Sequence, residues 1–226
     1  GTAISQTASI STTNLVLLAP NGSVAMTNGF NDVSTLAGSA GGSFSYRQAD
    51  SFQVAGISAP GAALTLRSDV GITQAGGAGG AIVAQSLDAT VTGGAASFDN
   101  AANQVAVVSG NADGGFTYAG TGNLSIAGIT TNAAAGTVTL NTTGGDISQT
   151  GSIVARTLSV TAQGNVALDG AVNDAAVVNA AVSGAGNDFR FTADQSFQVG
   201  AAGISAPGDV ALRSTGGSIT QAGAIQ

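Results

Sequence analysis

"GITQAGG" at residues 71–77 is written again as "DISQTGS" at 146–152, as "SITQAGA" at 218–224 and as "AISQTAS" at 3–9. Each phrase gives Ile, then Ser or Thr, then Gln. The four isoleucines, Ile4, Ile72, Ile147 and Ile219, lie 68, 75 and 72 residues apart. A long, nearly constant period is the mark of a repeat architecture, and it has to be tested before any local reading of the chain.

The period extends along the whole sequence. "SFSY", "GFTY" and "DFRF" align Phe44, Phe116 and Phe189, with Tyr46, Tyr118 and Phe191 two positions on. "SFQVAGISAPG", "NLSIAGITTNA" and "SFQVGAAGISAPG" align Phe52 with Leu124 and Phe197, Val54 with Ile126 and Val199, and Ile57 with Ile129 and Ile204. Leu66, Leu140 and Leu212 form a further column, as do Leu15, Leu87 and Leu158, and Asn31, Asn103 and Asn173 form a polar one. Three modules result, approximately 4–71, 72–146 and 147–218, with 219–226 opening a fourth, all within one continuous domain spanning 1–226.

Inside each module apolar residues alternate with small or polar ones: "FSY", "FQV", "LTL", "LSV", "FRF" and "VAL" all read in-out-in, the period of a strand. No stretch sustains an apolar stripe at helical spacing. Short strands broken by Gly, Asn, Asp and Ser turns would also suit a sandwich, but equivalent strands need equivalent surroundings, which a linear solenoid supplies and a closed two-sheet core does not. The expected fold is therefore an all-β parallel β-helix of three ~72-residue repeats. With three or four coils per module and coils ~4.8 Å apart, about ten coils make a rod roughly 50 Å long. Glycine is expected at corners of positive φ. The Asn column suits an internal amide ladder or a left-handed corner. The Gln of the repeated phrase, in phase with Ile at a strand end, is placed to bond backbone at a corner. Its alternative, a row of carbohydrate-contacting amides, is weaker because the column recurs together with the core columns.

Composition narrows function. All five cations are Arg, all twelve anions are Asp, and His and Cys are absent from the 226 residues. Charged residues make up 8%, far below the ~25% of ordinary domains, so solubility must come from Ser, Thr, Asn, Gln and backbone. A net charge of −7 offers no basic patch for nucleic acid. The longest strongly apolar stretch is "LVLLA" at 15–19, far short of the ~20 residues of a membrane-spanning helix. Without Cys, neither a disulfide nor a thiolate metal site can form.

A repeated carboxylate site would repeat its Asp, and no column holds Asp in all three modules. Asp32 and Asp174 face Gln104; Asp50 and Asp194 have no counterpart in the middle module; Arg67 and Arg213 face Asn141. Apolar columns persist while charges drift, the behaviour of a scaffold, and no catalytic, cofactor-binding or metal-binding residue is assigned. The Asp-bearing turns "NADGG" (111–115) and "GAGND" (184–188) offer oxygen ligands but read first as turn formers. "GGAGGA" (76–81) lacks the Lys of a phosphate loop. Asn21, Asn123 and Asn141 stand in N-x-S/T sequons. An ice-binding face would need outward Thr at regular positions coil after coil, and "TVTLNTT" (137–143) has no counterpart in the other modules, which argues against one.

"NDF" (187–189), "GNVAL" (164–168), "VTL" (138–140) and "GSITQAGAI" (217–225) resemble the long repeats of filamentous haemagglutinin-like proteins, secreted fibres of Gram-negative bacteria often exported by two-partner secretion. The resemblance covers nearly all of the chain. It implies a right-handed β-helical fibre, an extracellular or cell-surface location, and roles in adhesion, aggregation or biofilm, and it carries no catalytic residues. The expected function is the structural shaft of such a fibre, its partners being neighbouring repeats of the same or a stacked chain and a cell-surface glycan or protein receptor. The alternatives are a self-assembling filament without a receptor and a glycan-binding lateral face. The chain opens just before one repeat boundary and stops eight residues into another, so a window of a longer polymer or an end-to-end stacking unit is expected.

Overall fold

The computed structural model describes residues 2–132 and 134–226. It is all-β apart from one turn of 3₁₀-helix, Ala78–Gly80. Every strand pairing is parallel, and the strands join into a single sheet that winds on itself as a β-helix of about ten turns. The strand period read from the sequence becomes burial: Phe44–Arg47 and Phe52–Ser68 alternate buried with exposed or half-buried residues along most of their length.

Three lines of inward side chains run along the rod, one residue per rung. The first is Ile4, Val24, Phe44, Leu64, Leu87, Val108 and Ile126. A second runs Phe52, Ile72, Ala96, Phe116, Val138, Leu158, Val178 and Val199. The third is Leu124, Ile147, Val166, Phe189 and Val210. Nearly all of these side chains are fully buried, and they merge into one apolar core. Parallel hydrogen bonding satisfies the backbone along the axis, so the core needs no charge to close it.

The repeat and the rung are different lengths. From Phe44, three register steps reach Val108 and a fourth reaches Ile126, so Phe116, its counterpart in the next module, falls between the two. One module is thus three turns and part of a fourth. Phe44, Phe116 and Phe189, aligned in sequence, stand in three different lines and never stack on one another. Each module repeats its predecessor's contacts after being turned about the axis.

The corners follow the modules. Gly56, Gly128 and Gly203, at equivalent positions, all have positive φ (95°, 123° and 81°), and no non-glycine residue among those described does. A Cβ on Gly56 would also meet the carbonyl oxygen of Gly79 at 2.3 Å. The left-handed corner is therefore glycine's alone, and the Asn column does not form one.

Candidate functional site: amide clasps and lateral faces

The repeated Gln and the repeated Asn find each other. Gln74, at the end of Ile72–Gln74, lies one rung from Asn103, and their carboxamides bond reciprocally. Gln74 Nε2 donates to Asn103 Oδ1 at 2.6 Å and Asn103 Nδ2 donates to Gln74 Oε1 at 3.0 Å. Gln6 and Asn31 do the same at 2.6 and 3.1 Å, and so do Gln149 and Asn173.

Each Asn then ties the rungs on either side. Its Oδ1 accepts from the backbone N–H of Ile10, Ile82 or Ile153, and its Nδ2 donates to the carbonyl of Arg47, Ala119 or Thr192. Nδ2 also reaches back five residues, to the carbonyls of Met26, Phe98 and Leu168. That contact closes the excursions "MTNGFN", "FDNAAN" and "LDGAVN", where the chain leaves the rung and returns. A carboxamide offers two donors and an acceptor oxygen with two lone pairs; an ionised carboxylate has no donor and could make only the bonds that Oδ1 accepts. Asn103 and Asn173 are wholly buried, and Gln74 and Gln149 nearly so. The Gln column is structural, as its recurrence with the core suggested, and the Asn column is an internal amide device, although a clasp rather than a ladder. Gln221, the fourth of the series, is exposed.

A second polar device runs up one corner. The backbone N–H of Asp146 donates to Asn123 Oδ1, that of Asn165 to Asp146 Oδ1, that of Asp188 to Asn165 Oδ1 and that of Asp209 to Asp188 Oδ1, at 2.7–3.0 Å. Each side chain accepts from its counterpart one rung on, so five rungs are laced together along one edge. Sequence reasoning passed over this lacing, although a signal was present: Asn or Asp stands immediately before inward Leu124, Ile147, Val166, Phe189 and Val210. One turn former and one sequon residue therefore carry structure. Asp188 of "GAGND" and the sequon residue Asn123 are both rungs of this edge.

The Asp209 N–H, and then the Arg190 guanidinium at 3.1 Å, hold the Asp188 carboxyl below its ordinary range. A group whose folded pKa is depressed contributes stability above its unfolded pKa and loses it as pH falls through the folded one. The contribution of Asp188 should therefore fade below pH ~4. Asp188→Asn keeps an acceptor for Asp209 but removes the charge. It is expected to flatten the acid limb of a plot of Tm against pH, and an unchanged limb would show that Asp188 has no part in it.

The remaining charges do not assemble. Arg67 reaches Asp88 at 3.9 Å across one rung, and Arg47 lies directly opposite Arg67. Among the described residues no three carboxylates converge on a common point. An open groove of about 450 Å³ is lined in part by Asp169, Arg190, Thr192 and Arg213, with Arg190 already engaged by Asp188. The "GGAGGA" segment holds the 3₁₀ turn. Because successive modules are turned about the axis, a residue repeated every module is carried around the rod. A residue repeated in adjacent modules therefore forms no continuous lateral row.

No family model, no curated protein and no solved structure matches the chain. No helix of the described residues is long and apolar enough to cross a membrane.

Proposed function

We propose that this chain is a shaft segment of a secreted or surface-attached bacterial fibre of the filamentous haemagglutinin-like kind, and that it works through length and stiffness rather than chemistry. The observation that carries the reading is the clasp. Each module devotes a buried Asn and its Gln partner to tying consecutive rungs together. Such a rod transmits force along its axis through parallel hydrogen bonds and resists separation of rungs at three internal points. Adhesion, aggregation or biofilm formation would then belong to whatever the shaft projects or joins.

Electron microscopy of the native, unfractionated material tests this. Discrete thin rods of fixed length with one distinct end support a shaft. Fibres of indefinite length favour the second reading, a self-assembling filament whose units stack through their terminal rungs. Compact particles would overturn both.

The same reading predicts that modules are interchangeable. Deleting residues 75–149 joins Gln74 to Thr150 and leaves Asn173 facing Gln74 in place of Gln149, with Ile57 taking the place of Ile129 above Ile153. Every new neighbour is the counterpart of the lost one, so the variant should unfold cooperatively and form a rod shorter by roughly 15–20 Å. Small-angle scattering measures the length. An expanded, non-cooperative chain would mean that the modules are not equivalent.

A further inference from the structure

Outward residues differ along the three inward lines. Beside the first inward line stand Arg47, Arg67 and Asp88, and beside the third stand Asp169, Arg190 and Arg213. Beside the second line, over residues 95–98, 115–121, 137–143, 157–162 and 177–182, there is no charged residue at all. What stands there instead is hydroxyl: Ser97, then Thr117 and Thr121, then Thr137, Thr139 and Thr143, then Thr157, Ser159 and Thr161, on four successive rungs.

The registers along this run contain no shift, so the groups fall in rows. Ser97, Thr117, Thr139 and Ser159 are one row, Thr137 and Thr157 a second, Asn141 and Thr161 a third, and Thr121 and Thr143 a fourth. Within a strand they repeat every second residue, ~6.7 Å apart, and across strands at ~4.8 Å, giving a two-dimensional lattice. Threonine is stiff at χ1, so neighbouring hydroxyls and methyls are held in similar orientations. Among the described residues only Thr121 and Thr143, at the margin, spend their hydroxyls on protein, donating to the carbonyls of Asn103 and Gly120. The central hydroxyls are free.

This overturns the ground on which the sequence argued against such a face. Recurrence between modules is irrelevant, because modules are turned; what matters is recurrence at the rung spacing of 20–22 residues, and there Thr117, Thr139 and Ser159 do recur.

We propose that this uncharged hydroxyl-and-methyl lattice binds the surface of ice. Its regularity in two directions fits a crystalline partner better than a soluble one. The absence of charge leaves no group to impose its own hydration geometry. The absence of any outward aromatic on this side removes the platform on which a sugar ring would stack.

The test is partition of the purified chain into a slowly growing ice hemisphere, with ice-crystal shaping as the second readout. The wild-type chain should enrich in the ice and facet the crystals. Thr139→Lys/Ser159→Lys places two charges at the lattice centre, in the like-charged opposite arrangement that Arg47 and Arg67 already adopt. Its enrichment should fall by roughly tenfold or more. Ser45→Lys/Thr65→Lys, on the charged side, should enrich as the wild type does. Circular dichroism checks that each variant is folded, and Thr139→Ala/Ser159→Ala, which adds no charge, serves if the lysine pair does not fold and should also lose enrichment. A wild-type chain excluded from ice overturns the proposal, as does equal enrichment of the central variant. Binding to microcrystalline cellulose or chitin without binding to ice would reassign the face to polysaccharide.

Discussion

Asn103→Leu is expected to destabilise the chain by about 3–5 kcal/mol, a large change for a single polar residue. The side chain of Asn103 is wholly buried and bonds at once to Gln74, Ile82, Phe98 and Ala119. Leucine is close in size but leaves the Ile82 N–H and the Ala119 carbonyl buried without this partner, at about 1–3 kcal/mol each, and strips Gln74 of half its bonds. Because Gln74 and Asn103 act as a unit, Gln74→Leu/Asn103→Leu should cost less than the sum of the two single changes. Gln221→Leu, at the exposed member of the series, should be nearly silent. Denaturant titration of the wild type, the two single variants, the double variant and Gln221→Leu gives the comparison. Strict additivity would mean that the reciprocal bonds contribute nothing as a pair.

Phe189→Asp should be at least as damaging. Phe189 is fully buried between Val166 and Val210 in the third inward line. Removing a large aromatic from such a site costs about 3–5 kcal/mol, and an unpaired carboxylate in its place adds a desolvation penalty. Contacts in a solenoid are between neighbours, so the loss should first free the rungs from Phe189 onward and leave the preceding turns folded. Hydrogen exchange would show protection lost after residue 188 and retained before it. Burial raises the pKa of the introduced carboxyl, and a group whose folded pKa is raised loses stability as pH rises. The defect should therefore be milder near pH 4 than at neutrality. Phe189→Leu, which keeps an apolar side chain, should cost only a fraction as much. Full thermal stability of the Asp variant would put Phe189 outside the core and the register in error.

Both variants act on residues that the sequence could already single out, but for different reasons. Phe189 was legible as inward from the alternation in "DFRF". Asn103 was legible only as a member of a recurring column. That Gln74 is its partner could not be read, because the two are 29 residues apart, while the equivalent pairs are separated by 25 and 24. These spacings vary with the length of the turn each rung carries, and no single sequence period describes them. The corner lacing was missed for a similar cause. Asn and Asp are mixed in it, so the column looks like drift until the backbone N–H groups that its side chains accept are seen.

The sequence by itself determined the strand period, the three modules, the parallel helical winding and the identity of the inward residues that recur in columns, because burial on a pleated strand obliges apolar side chains to alternate and a solenoid obliges them to recur. Only the tertiary structure decided which residues are neighbours. Likeness is set by the ~72-residue module, but contact is set by the rung of about 20 residues, and the first is not a whole multiple of the second. Residues that are alike are therefore carried apart around the rod. Residues with nothing in common in the alignment, Gln with Asn and the threonines of one module with one another, are brought face to face.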